Sequence, residues 1–206
     1  MIPVPDDSET MSGGPAAFRR RGDVLERAIF EAALEQLSTL GWKRLTMEGV
    51  ANCAQTGKAA LYRRWPCKED LVMAALQKAL PMVQEGPDLG SLRDDLIFLL
   101  ERMRTVMFSP AGCAFRAIME EMEHEHAKQF FALVHQKVLE PGRRISAEVL
   151  RRGIERGEVR PDADVELLAD VGPALMMYRS KVAGGEISAD YPDRVVDEVL
   201  LPMLRP

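Results

Sequence analysis

Apolar residues recur along this chain at spacings of three and four, and no stretch alternates with period two long enough to read as a strand. The pattern predicts helices throughout. A first helix is expected over 23–40, where Leu25, Ile29, Ala33 and Leu37 share a face beside Val24, Ala28 and Ala32, and Gly41 is placed to end it. Thr46 suits the N-cap of a short second helix whose buried side is Met47, Val50 and Ala51. A third begins near Gly57 and must stop by Trp65, because Pro66 disfavours helical geometry in the residue before it. A fourth runs from about 66–68 to Leu80, where Pro81 closes it. After a linker ending in Asp88-Leu89-Gly90-Ser91, helices are expected over about 91–108, 113–122, 125–139, 143–156, 165–182 and 191–204. Ser109–Gly112, Pro141-Gly142, Gly157–Pro161 and Gly184-Gly185 are the expected breaks.

Composition agrees with an all-α fold: Ala, Leu, Glu, Arg and Met dominate, aromatics are only 6%, and 47% apolar content supports a sizeable core. The net charge of −5 argues against a nucleic-acid binder until the chain is divided. Residues 18–80 carry 11 Lys and Arg against 7 Asp and Glu, whereas residues 81–206 carry 16 against 22. The basic excess therefore sits at one end, where attraction to phosphates would need it. Cys53, Cys67 and Cys113 have neither the spacing of a zinc site nor that of a disulfide framework. Without a leader-like segment or an apolar stretch of about 18 residues, a cytoplasmic protein with no membrane partner is expected.

Within the basic region, Leu45 to Leu71 (LTMEGVANCAQTGKAALYRRWPCKEDL) reads as helix, tight turn, helix, then the start of another helix. This arrangement suits a helix-turn-helix that presents its second helix to the major groove of duplex DNA. The same residues resemble the N-terminal domain of TetR-type transcriptional regulators. The resemblance rests on Thr46, Val50-Ala51, Leu61-Tyr62-Arg63-Arg64-Trp65 and Lys68-Glu69-Asp70-Leu71, and covers residues 23–72. Gln55 departs from it, standing at a turn position where Gly is usual and a left-handed backbone is required. Cys67 departs as well, leaving a poorer N-cap for the fourth helix; it reads as a stand-in for Ser, with a thiol of lowered pKa as the alternative.

The resemblance implies phosphate contacts from Thr46, Lys58, Tyr62, Arg64 and Lys68, groups whose chemistry suits that role. Base reading falls to Gln55, Lys58 and Ala59, with Arg63 either touching DNA or simply solvated. Leu61 and Trp65 are assigned to the core. Arg19, Arg20 and Arg21 at the domain border read equally as an arm reaching DNA or a solvated patch.

Residues 1–20 are expected to be a disordered tail, 21–80 the three-helix helix-turn-helix DNA-binding domain, and 88–206 a helical ligand-binding and dimerisation domain. The last two helices are apolar on more than one side, through Leu168, Val171 and Leu175 on one and Val195, Val199 and Met203 on the other. The resemblance implies a homodimer built on them. Large flexible apolar residues of the middle helices suggest a ligand chamber: Met103, Met107, Phe108, Phe115, Met119, Met122, Phe130, Val134, Met176 and Met177. Polar partners within it would come from Arg104, Arg116, His135 or Tyr178.

Glu123-x-x-His126 has the spacing of a di-iron helix, but no second Glu-x-x-His exists, so a solvated acidic helix end is the reading. Neither a catalytic constellation nor a cofactor motif is found. The expected function is that of a DNA-binding regulator, a repressor releasing a two-fold symmetric operator when a small apolar effector binds. The rivals are a helix-turn-helix protein whose second domain only dimerises or meets a protein, and a helical metal enzyme.

Overall fold

A computed structural model describes residues 22–82, 85–182 and 187–206 of the chain. The expected tail, the Arg19–Arg21 arm and the Gly184-Gly185 turn lie outside those residues. Every regular element among the described residues is helical.

Four helices form the N-terminal unit: α1 (Asp23–Leu40), α2 (Met47–Cys53), α3 (Lys58–Tyr62) and α4 (Lys68–Ala79). Gly41 ends α1 at a positive φ of 83°, and the Thr46 hydroxyl oxygen accepts from Gly49 N at 3.1 Å to cap α2. Next come α5 (Leu92–Met107) and α6 (Pro110–Glu121). The expected break between them contracts to a sharp turn. Ser109 caps α6, Pro110 fills its first position, and Gly112 lies so close to the Val106 and Met107 carbonyls that a Cβ would overlap them.

The largest departure from expectation lies at Pro141-Gly142. No break occurs there: α7 (His124–Val134) passes through a π turn (His135–Leu139) straight into α8 (Glu140–Glu155). The same device recurs near the C-terminus, after α9 (Val165–Val182), where α10 (Tyr191–Val195), a π turn (Val196–Leu200) and α11 (Leu201–Leu204) are continuous. Each π turn ends two residues before a proline, Pro141 or Pro202. Proline has no N–H for the carbonyl four residues back, and its ring clashes with that carbonyl. Widening the turn moves Lys137 and Glu198 out of the collision, and the helix survives.

Two apolar clusters organise the molecule. One joins α1–α4 to α6 and α7 through Ile29, Leu37, Val50, Leu61, Leu71, Ile118 and Phe130. The other joins α5, α8, α9 and the C-terminal helix through Leu92, Leu96, Leu150, Met176, Val196 and Leu200. The expected division at residues 81–87 thus separates sequence segments, while the first core crosses it.

Residues 87–92, at the entrance to α5, are tied down electrostatically. Asp95, wholly buried, accepts from Leu89 N at 2.7 Å and from Arg156 Nη2 at 3.1 Å. Glu158 accepts from Leu92 N at 2.7 Å and pairs with Arg156 Nε at 2.6 Å, while Arg152 donates to the Pro87 carbonyl. A buried carboxylate persists only when paired and hydrogen-bonded in this way. Asp95→Ala, which leaves the Leu89 amide and Arg156 Nη2 without their acceptor while Glu158 still pairs with Arg156, should cost about 2 kcal/mol in urea unfolding. Asp88→Ala at the exposed rim should cost under about 1 kcal/mol.

Candidate nucleic-acid interface

The exposed side of α2 and α3 is built outward from a dry interior. Val50 and Leu61 are fully buried, and Trp65 packs edge-on against Phe30 with ring centroids 5.4 Å apart. Leu61 and Trp65 are core residues, as expected. With those faces committed inward, Thr46, Gln55, Lys58, Ala59, Tyr62, Arg63 and Arg64 are left exposed together. The turn between the helices needs a left-handed residue, and Gln55 supplies it at φ 54°, carrying the strain a side chain pays there.

Two of the cations on this surface, Lys58 and Arg64, are held by carboxylates. Lys58 pairs with Glu48 on the first turn of α2, and its ammonium sits 5.6 Å from the Tyr62 ring centroid. Arg64 Nη1 lies 3.0 Å from Glu26 Oε2 of α1, with its guanidinium 5.9 Å from the Trp65 ring centroid. Arg63 meets no carboxylate among the described residues.

Lys68 is placed differently from the others. Its ammonium turns inward, donating to the Trp42 carbonyl at 2.8 Å and packing 4.5 Å from the Trp42 ring centroid. This staples the start of α4 to the α1–α2 connection, a role the sequence did not reveal. Cys67 makes no backbone cap; its thiol donates to Asp70 Oδ2 at 3.1 Å, and burial raises its pKa. The lowered thiol weighed as an alternative is therefore reversed: desolvation outweighs the helix terminus.

Two further residues had no sequence signal. Glu121, at the end of α6, accepts from Lys43 N at 2.9 Å and lies where a Cβ on Gly41 would stand. Trp42 packs edge-on against Phe130 of α7 with centroids 5.7 Å apart. The α1–α2 connection is thus gripped by the C-terminal region.

Comparison with known proteins accounts for this arrangement. Residues 29–75 match the family model for bacterial regulatory proteins, tetR family, and residues 86–199 match that of a tetracyclin repressor-like C-terminal domain. The chain belongs to the TetR family. It is 31% identical over 187 residues to the DNA-binding transcriptional repressor TetR of Mycobacteroides abscessus, a match covering 90% of this chain and 97% of that protein. An HTH-type transcriptional regulator of Mycobacterium tuberculosis is 32% identical over 179 residues, 87% of each chain. The solved TetR family transcription regulator SCO0332 superposes with a TM-score of 0.53 at 27% identity, covering 89% of this chain and all of that one.

In this TetR-family chain the ten residues expected to line a chamber are divided between the two cores and the surface. Phe115, Met119, Met122, Phe130 and Val134 pack on the first core, and Met103, Met107 and Met176 on the second. Phe108 sits at the surface beneath the Arg116 guanidinium, 5.5 Å from its ring centroid, and Met177 is exposed. A crevice between α5, α8, α9 and the C-terminal helix, lined by Leu96, Leu100, Leu150, Leu168 and Leu204, has a volume of about 20 Å³, room for one water. An open cleft of about 560 Å³ lies at the junction with the DNA-binding helices, and of the ten only Met122 lines it.

The expected dimer residues also divide. Leu168 and Val195 are buried in the chain's own second core, Leu168 beside Leu96 and Leu100 of α5 and Leu150 of α8. Val171, Leu175 and Val199 are half-buried and Met203 is exposed. The outward stripe of α9 is instead Leu167, Val171, Ala174 and Tyr178, at helical spacing, with Leu167 and Tyr178 each 65% exposed. The Glu123–His126 pair at 3.8 Å is a solvated pair on an exposed helix end.

Gln55→Gly isolates the strain of the turn. It should raise stability by about 0.5–1 kcal/mol, the left-handed penalty less the entropy of glycine, measured by denaturant unfolding. Unchanged DNA affinity in that variant would remove Gln55 from base reading.

Proposed function

We propose that the protein is a cytoplasmic, homodimeric transcriptional repressor that releases a two-fold symmetric operator when a small apolar effector occupies its C-terminal domain. The observation that carries this reading is the core shared by the recognition helix and the middle helices. Leu61 of α3, Leu71 of α4, Ile118 of α6 and Phe130 of α7 belong to one buried cluster, so a shift of α6 or α7 repositions α3. An effector that prefers the shifted packing lowers operator affinity by its difference in affinity for the two states. The relative from Mycobacteroides abscessus carries the name of a repressor, which favours repression over activation.

Dimerisation follows from the outward stripe of α9. Leu167, Val171, Ala174 and Tyr178 form an apolar strip of the kind that a second copy covers isologously. Two recognition helices one helical turn apart along DNA then read a palindrome. Thr46, Gln55, Lys58, Ala59, Tyr62, Arg63 and Arg64 are assigned to DNA contact, with Lys68 supporting them from behind. A second reading, in which the C-terminal domain only dimerises, is favoured by the narrowness of the crevice between α5 and α9.

Selection from random duplex DNA should recover a palindrome with the native protein and none with Tyr62→Ala; no enrichment at moderate salt would reject sequence-specific binding. Release of the selected duplex by small apolar compounds, followed by fluorescence polarisation, separates the effector reading from the second one. Val171→Glu should shift the sedimentation mass from dimer to monomer and weaken operator binding by at least tenfold, about 1.4 kcal/mol.

A further inference from the structure

We propose that Glu48 is a specificity-determining residue: by holding the Lys58 ammonium in an ion pair across the helix-turn-helix, it withholds that charge from phosphates and yields it to base acceptors. This inference rests on the DNA-binding reading above.

Glu48 stands on the first turn of α2 and Lys58 is the first residue of α3, so the pair bridges the two helices at the end where a recognition helix meets base edges. Both side chains are about half exposed, within reach of an approaching duplex. The partnership leaves its mark on both groups: the Lys58 ammonium holds the Glu48 carboxyl below the usual carboxylate range, and Lys58 is raised in turn. Both therefore remain charged at neutral pH.

Binding to arbitrary DNA draws on point charges that displace counterions from phosphates. A paired lysine has no net charge to offer for that purpose. Pulling it away also leaves a carboxylate facing an anionic backbone, which is repulsive. In the major groove the exchange differs, because guanine presents two acceptors, O6 and N7, that replace the carboxylate oxygens directionally. An exposed pair is weak enough to be exchanged in this way. The Tyr62 ring beside the ammonium limits the directions in which Lys58 can leave. Glu48 thus acts against the unwanted duplex more than for the wanted one.

The test compares the full-length protein with Glu48→Gln, Lys58→Ala and the double variant, on a selected operator and on a random duplex of equal length, across a salt series. Glu48→Gln should tighten random-duplex binding about 3–10-fold and steepen its salt dependence by about one unit of slope. Operator affinity should change less than about twofold, so the specificity ratio falls. In the Lys58→Ala background the gain on random duplex should largely vanish. Equal tightening on both duplexes, persistence of the gain without Lys58, or no change on either would each overturn the proposal. Thermal melting of each variant confirms that the fold is retained. A native protein that selects no operator would refute the functional reading instead, while the random-duplex arm still reports whether Glu48 restrains Lys58.

Discussion

Burial of the α1–α2 connection against the C-terminal region is the constraint on which the other arrangements depend, because it makes a short surface loop part of two structures at once. The Trp42 indole is covered by Phe130 on one side and by the Lys68 ammonium on another, and its carbonyl accepts from that ammonium. The next residue, Lys43, gives its backbone N–H to Glu121 of α6. A loop held by an aromatic contact, a cation and a carboxylate cannot relax independently of α4, α6 or α7. The cap of α2, and through it the seat of α3, inherits that rigidity.

The exposed face of the helix-turn-helix is correspondingly pre-ordered. Lys58, Arg64 and Lys68 are each engaged before any duplex arrives, by Glu48, by Glu26 and by main-chain carbonyls. Order reduces the entropy lost on binding, and it makes charge on this face conditional on exchange of partners. The excess of basic residues in this part of the sequence therefore overstates the free positive charge the surface presents.

Much of the fold was legible because the helix-turn-helix is specified locally. Thr46 as a cap, Pro66 as a stop, Leu61 and Trp65 as inward residues, and Gln55 in a left-handed turn all depend on near neighbours in sequence, and each stands where it was expected. Contacts across the chain were invisible. Glu121 lies 78 residues from Lys43 and looks like any acid at a helix end. The same limit explains Leu168 and Val195: periodicity identifies an apolar face, but only packing decides whether the chain itself or another copy covers it. Pro141-Gly142 misled for a different reason, since a proline rule written for α-helices omits the option of widening the preceding turn. The ten chamber residues divide between two cores, a division that Met-rich spacing along the chain does not encode.

The unbroken passage from α7 into α8 gives the molecule a strut. From His124 to Glu155 it is roughly 48 Å long at about 1.5 Å per residue. One end bears Phe130 against the loop of the DNA-binding head; toward the other, Arg143 and Arg151 clasp Glu166 at the start of α9. A continuous rod transmits torsion as well as displacement, so a twist at the α9 end reaches the head through the π turn alone. Its one softened joint is the π turn ahead of Pro141, which sets where such a rod would bend.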